Sequence, residues 1–357
     1  MKVPVARPLL GEEEADAVRE VLASGMIASG PKTAAFEERF AAFCGASHAV
    51  AVNNGTAALH AALLAGGVGP GDEVIVPSFS FIATATAVSM CGAVPIFADV
   101  DPERFTIDPV SAEALVTGKT KAVIAVHLFG QPCDVPAIAD LCADRRLLFV
   151  EDAAQAHGAA LDGKRAGSFG DFGCFSFYAT KNMTTGEGGM VTTASDEFDA
   201  RLRRIINHGQ SEKYLHTELG YNYRMTDIAA AVGLVQLERL EGFNRRRQEN
   251  AAFYSDHIRA PGIALPTTAP GAVHVYHQYV LRADDGRDRL MAALGARGIG
   301  TAVHYPVPIH RQPVYAGRPA CCPVAERLAA TVFSIPVHPG VTDEERTHIA
   351  DAINEVA

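Results

Sequence analysis

Lys181 stands where a lysine can do more than solvate a surface. The stretch Phe175-Ser176-Phe177-Tyr178-Ala179-Thr180-Lys181-Asn182 runs out of a strongly apolar strand and into Thr185-Gly186-Glu187-Gly188-Gly189. An amine in such surroundings loses hydration, which lowers its pKa and frees it as a nucleophile toward aldehydes. A second stretch, Asn53-Asn54-Gly55-Thr56-Ala57-Ala58, reads as a turn entering a helix. Free N–H groups at a helix start bind phosphate, and Gly55 lets the backbone come close, although Asn and Thr also cap helices for local reasons. A third, Leu147-Leu148-Phe149-Val150-Glu151-Asp152-Ala153-Ala154-Gln155, sets two carboxylates at the mouth of a buried strand. They are either helix-start acids favoured by the dipole or a partner for a cationic ring nitrogen or a metal. The fourth is Thr301-Ala302-Val303-His304-Tyr305-Pro306-Val307-Pro308-Ile309-His310. It lacks a nearby Cys or acidic cluster, so it suits the polar lining of a substrate pocket better than a metal site.

A phosphate cradle, a strand-end carboxylate and a later strand-end lysine together make up the requirement of pyridoxal 5'-phosphate. The lysine bonds the aldehyde, the carboxylate keeps the pyridine nitrogen protonated, and the cradle holds the phosphate. There is no GxGxxG at a strand–helix turn and no Walker A motif, so dinucleotide and P-loop chemistry lack support.

Elements that could position these groups follow from the hydrophobic pattern. From about residue 45 to residue 195, short apolar runs alternate with helical stretches: Ser47–Val52, Glu73–Val76, Val94–Ala98, Ala122–Leu128, Leu147–Val150, Cys174–Phe177 and Met190–Thr193. Runs so short and so rich in Val, Ile and Phe predict strands buried on both faces, hence an α/β fold with a mostly parallel central sheet flanked by helices. Residues 226–257 carry a long helical pattern, and Pro261-Gly262 marks a composition break. The predicted division is a large α/β domain over 1–245 and a smaller C-terminal α+β domain over 246–357.

The 357 residues are 48% hydrophobic and 20% charged, enough for a sizeable core and against disorder. A formal charge of −10 offers no electrostatic footprint for nucleic acid or anionic membranes. Seven cysteines without a CxxC pair argue against a disulfide framework or a structural zinc. No signal-like N-terminus and no apolar run of roughly 18 residues is present, so a cytoplasmic protein is expected.

The chain closely resembles the DegT/DnrJ/EryC1/StrS family of sugar aminotransferases, fold-type I pyridoxal phosphate enzymes. The resemblance runs through NNGTAALHAAL, GDEVIVPSFSFIATATAV, EDAAQAHGA, GDFGCFSFYATKN, GEGG, GYNYRMTDIAAAVGLVQLERL and HYPVPIHRQPVY, in the family's order. It implies that Lys181 bonds the cofactor and then moves the proton. It implies also that Asp152 pairs with the pyridine nitrogen and Gln155 meets the ring hydroxyl. Phe81 would stack on the ring, while Thr56, Ala57 and Ser176 would hold the phosphate. Asn222 would reach the phosphate from a partner subunit, which implies a homodimer. Tyr178, His304 and Tyr305 match positions near the sugar, and no metal is implied. Ala179 departs from the proline many members carry. Relatives that dehydrate sugars replace the lysine with histidine, so Lys181 favours transamination. The implied reaction moves an amino group from L-glutamate to a nucleotide-linked keto sugar, with a lean toward the 3-keto position. A sugar dehydratase and a catalytically silent cofactor-binding regulator are the rivals.

Overall fold

The computed structural model describes residues 2–318 and 320–356. Its central sheet has seven strands: β1 (His48–Val52), β2 (Glu73–Pro77), β3 (Val94–Ala98), β4 (Thr120–Val126), β5 (Leu148–Asp152), β6 (Phe172–Ser176) and β7 (Gly189–Thr193). They lie in the order β1-β7-β6-β5-β4-β2-β3. The strands from β3 across to β6 are parallel, as the alternating pattern predicts. β7 runs antiparallel to both β6 and β1. Parallel neighbours need a crossover, usually a helix. The link from β6 to β7 has none; it carries Lys181 and the glycine-rich turn and doubles straight back.

Side chains along these strands alternate between two cores. Val74, Val76, Ile124 and Val150 pack into one cluster, beneath helices Gly55–Ala65 and Ala83–Met90. Their neighbours Ile75, Val123, Ala125 and Phe149 pack into another, beneath helix Val135–Arg145. Both faces of the sheet are therefore covered, which is why its strands read as continuous apolar runs.

The same parity separates the two acids that end β5. Glu151 shares the side of Phe149 and is fully buried. Its carboxylate accepts the N–H groups of Gly167 (2.7 Å), Phe169 (2.7 Å) and Gly170 (2.9 Å). His127 Nδ1 accepts the Cys133 N–H, so its proton is on Nε2, which donates to Glu151 at 2.9 Å. Glu151 thus pins the connection between β5 and β6. Asp152 takes the opposite side.

The 31-residue helix Asp227–His257 carries the chain onward. Beyond it an antiparallel three-stranded sheet (Ile263–Ala264, Tyr279–Ala283 and Val332–Ile335) packs on helices Arg287–Ala296 and Asp343–Val356 around Tyr254, Tyr279, Leu281, Phe333, Ile335 and Ile353. The expected division at 245/246 falls inside the long helix, whose Leu240 belongs to one core and Tyr254 to the other. Among the described residues no helix is long and apolar enough to cross a membrane.

Replacing Glu151 tests this account of the β5–β6 connection. Glu151→Ala strips four donors, two of them fully buried, of their acceptor and is expected to cost about 3 kcal/mol. Urea unfolding of the cofactor-free protein would measure it. A loss below about 1 kcal/mol would mean that the loop is held by other contacts.

Candidate active site

A cavity of about 810 Å³ opens at the carboxyl ends of the parallel strands, within the range of small-molecule sites. Its floor is built where β1, β5 and β6 end. Asn54 follows β1 and caps helix Gly55–Ala65, its Oδ1 accepting the Ala57 N–H at 2.8 Å. The N–H groups of Gly55 and Thr56 belong to the first turn, which no helix satisfies internally. The cap takes the Ala57 N–H, which leaves those of Gly55 and Thr56 the freer donors of this turn. Ser176, the last residue of β6, presses against this turn: a Cβ on Gly55 would lie 2.6 Å from Ser176 Cβ. Only glycine permits that approach.

Asp152 ends β5 on the cavity side and is almost wholly buried. Thr84 Oγ1 donates to its Oδ2 at 2.8 Å and the Ala154 N–H to its Oδ1 at 3.2 Å. Burial raises its pKa above the ordinary carboxylate value; the two donors and the charge of Lys181 work against that rise. A cation beside this carboxylate would relieve it of uncompensated charge.

Lys181 is half-buried on the cavity wall. Burial lowers its pKa from 10.5 to about 8, and Asp152 partly opposes the change. This is the desolvated amine expected from the apolar strand before it. No salt bridge engages it among the described residues. At neutral pH a tenth or so of such amines is unprotonated, against less than about a thousandth of an ordinary lysine.

Gln155 uses both ends of its amide. Oε1 accepts the Phe129 N–H at 2.7 Å, and Nε2 donates to the Tyr305 hydroxyl at 2.9 Å. Phe81 is 54% exposed and stands at the cavity edge, its ring centroid 6.0 Å from that of Tyr305. Tyr178 is also exposed at the rim. His304 holds Ser334 Oγ through Nδ1 at 3.1 Å, and burial and the nearby Lys181 charge lower its pKa, leaving it neutral.

Two residues lie elsewhere. His310 does not line the cavity; it is buried between Ser78 Oγ and Glu326 Oε1, so the pocket-lining expectation for that stretch holds at its His304-Tyr305 end only. Asn222 is exposed, pairs with Asn207 in an isolated bridge and stands outside the cavity of its own chain. Its neighbour Tyr223 is the one that faces in, with its hydroxyl 3.0 Å from His60 Nδ1.

Sequence reasoning missed Thr84, His277 and Tyr223. Thr84 had a signal, a hydroxyl inside the apolar helix Ala83–Met90 that needs a buried partner. His277 stands at the head of the apolar run His277–Leu281, where nothing in its spacing sets it apart.

The profile of the DegT/DnrJ/EryC1/StrS aminotransferase family matches residues 8–354. The chain is 41% identical to UDP-N-acetyl-3-dehydro-alpha-D-glucosamine 3-aminotransferase of Acidithiobacillus ferrooxidans, over 96% of this chain and 94% of that one. It is 40% identical to GDP-perosamine synthase of Caulobacter vibrioides, over 99% and 98%. Among solved structures, one described as a sugar aminotransferase of Streptococcus pneumoniae in its PLP form superposes with a TM-score of 0.95 at 29% identity, covering 100% of this chain and 98% of that one.

The cavity fits pyridoxal phosphate on its own geometry. The close Gly55–Ser176 approach, with no room for a Cβ between them, sets the first-turn N–H groups beside the Ser176 hydroxyl. Asp152 offers a buried anion to a ring N–H, and Lys181 an amine without an ion-pair partner. Gly55→Ala drives the turn and Ser176 apart and is expected to weaken cofactor binding by about 1–3 kcal/mol, roughly fivefold or more in Kd. Equilibrium dialysis of the cofactor-free protein would measure this, and an unchanged Kd would place the phosphate elsewhere.

Proposed function

The chain belongs to the DegT/DnrJ/EryC1/StrS family of pyridoxal-phosphate-dependent sugar aminotransferases, and we propose that it transfers the amino group of L-glutamate to a nucleotide-linked keto-deoxysugar by a ping-pong mechanism. The carrying observation is the pairing, in one cavity, of a desolvated Lys181 with the buried Asp152. When bound, pyridoxal phosphate supplies an electron-withdrawing ring that delocalises the charge left on carbon by proton removal.

The chain's own groups do the rest. Asp152 stays ionised against a cation and holds a proton on the atom facing it. Thr84 and the Ala154 N–H keep its carboxylate oriented. Lys181, with a pKa of about 8, can take a proton from carbon and return it elsewhere at neutral pH. Thr56 and Ser176 anchor the phosphate, with the Ala57 N–H shared between it and the Asn54 cap; Gln155 meets the ring hydroxyl, and Phe81 covers the ring face. Tyr178, His304 and Tyr305 stand on the side left for the sugar. His304 is neutral there, so it can accept a hydrogen bond from a hydroxyl without repelling a cation.

The active unit in this reading is a cytoplasmic homodimer in which Asn222 of one copy completes the other's phosphate site. Its exposure, outside the cavity of its own chain, supports that assignment. The lean to a 3-keto sugar rests on the HYPVPIHRQP segment and on the relative named for 3-amination. The nucleotides in the two relatives' names differ, so the UDP, GDP and dTDP forms belong in one substrate panel.

Absorbance of the purified protein with bound cofactor tests the donor half-reaction. L-Glutamate alone is expected to convert the bound cofactor to its amine form and release one 2-oxoglutarate per site. A spectrum that does not respond would point to another donor or to the dehydratase class.

Two variants test the roles. Lys181→Ala is expected to abolish turnover and leave the fold intact; substantial residual turnover would sink the assignment. Asp152→Asn is expected to cut kcat by about 100-fold or more, because a neutral amide cannot hold a cationic N–H as an anion does. A near-normal rate would remove the electrostatic role.

A further inference from the structure

Two stretches that meet at the cavity, residues 78–81 and 304–310, are joined by an imidazole buried outside it. His310 Nε2 lies 3.0 Å from Glu326 Oε1, and Arg311 donates to the same oxygen from Nε and Nη2 at 2.9 and 2.7 Å. Hydrogen bonds from His310 and Arg311 hold the Glu326 pKa below its ordinary value, so the carboxylate stays ionised and can only accept. His310 Nε2 therefore carries a hydrogen, and Nδ1 meets Ser78 Oγ. Glu326 is itself held in place. Its helix, Pro323–Thr331, is tied to the end of β3 by Asp99, which accepts the Val324 and Ala325 N–H groups at 2.9 Å each.

Serine, histidine and an acid linked in that order are the groups of a hydrolytic triad. No substrate reaches this one: Ser78 is fully buried, and none of the three residues lines the cavity.

What the ring does join is two parts of the cavity wall. Beside it the Ile309 N–H donates to Ser78 O at 2.8 Å. On the cavity side the rings of Phe79 and Phe81 stand 6.4 and 6.0 Å from that of Tyr305. The other end of the segment is fastened to the C-terminal sheet. There Ala302 and Ser334 exchange backbone hydrogen bonds, and His304 Nδ1 lies 3.1 Å from Ser334 Oγ. Tyr305 is thus strung between two anchors, with its hydroxyl on Gln155 Nε2 at 2.9 Å. Lys181, Asp152 and the Gly55 turn stand on other elements, at the ends of β6, β5 and β1.

We infer that His310 is a positioning residue for the sugar side of the cavity: bridged between Ser78 and Glu326, it fixes the segment that carries His304 and Tyr305. The inference rests on the proposed function for the identity of the acceptor. Loss of the bridge weakens binding of the keto sugar and spares the donor step, whose groups lie on other strands.

The test compares variants of the holoenzyme. The donor step is read as the absorbance change on L-glutamate alone, and the acceptor step as KM for the keto sugar of the UDP, GDP and dTDP panel that the parent turns over. His310→Phe keeps an aromatic ring and neither hydrogen bond. It is expected to raise the acceptor KM about fivefold or more while the donor rate stays within about twofold. Amide exchange over residues 304–312 should quicken in the same variant. Glu326→Gln keeps an oxygen for the His310 hydrogen and should match the parent KM within about twofold, whereas Glu326→Ala should follow His310→Phe.

An acceptor KM unchanged in folded His310→Phe would overturn the inference, as would a donor rate that falls in step with it. Where His310→Phe does not fold, equal acceptor KM values in the two Glu326 variants overturn it. Nitrogen NMR of the histidine-labelled parent needs neither variant nor substrate: a bare Nε2 on His310 overturns the bridge, and a protonated one supports it. A parent that turns over no keto sugar of the panel overturns the proposed function instead, and the imidazole spectrum and the exchange of residues 304–312 still decide the bridge.

Discussion

The twofold alternation of side chains along the central strands decides what this cavity contains. Adjacent residues of a strand point to opposite faces, and here both faces are dry. At the end of β5 that rule sends Glu151 into the packing around residues 167–170 and Asp152 to the cavity floor. At the end of β6 it puts Ser176 on the same side as Asp152 while Phe175 and Phe177 join the opposite core. A slip of one residue in either strand would exchange a structural acid for the cavity acid, or a cavity-lining hydroxyl for a phenyl ring.

Once those side chains share a floor, the electrostatics follow from dehydration. Asp152 and Lys181 are each pushed toward neutrality by burial and each restrained by the other's charge. The surrounding imidazoles add no positive charge. Burial drives His157, His277 and His304 to their neutral forms, and the lysine's own charge reinforces this. Lys181 therefore sits among acceptors rather than among competing cations, a setting in which one amine can alternate between holding and releasing a proton.

Much of this was readable from residue order. The seven apolar runs foretold the seven strands to within a few residues, because strands covered on both faces tolerate little polarity. Lys181, Asp152 and the Asn54-Gly55-Thr56 turn stood out because each interrupts or closes such a run. The direction of β7 was not readable. Its composition suits a central strand of either sense, and only the missing crossover helix reveals the reversal. His277 was equally hidden, because Asn182 and Arg247, which bond its ring and its carbonyl, meet it only in three dimensions. His310 misled for a related reason, since sharing a segment with His304 does not place two rings in one cavity.

The helix Asp227–His257 is about 46 Å long and serves both cores without a break. Its Asn244 supports the residue beside Lys181, while Arg247, one turn later, supports the segment arriving from the second sheet. The C-terminal unit is consequently not an exchangeable module with a border at residue 245. A recombinant chimera joined there would splice two unrelated halves into one rod and mismatch both of its grips. A junction after His257, near Pro261-Gly262, would inherit the rod whole, so any exchange of the C-terminal unit that keeps both cores intact has its join in that short linker rather than within the helix.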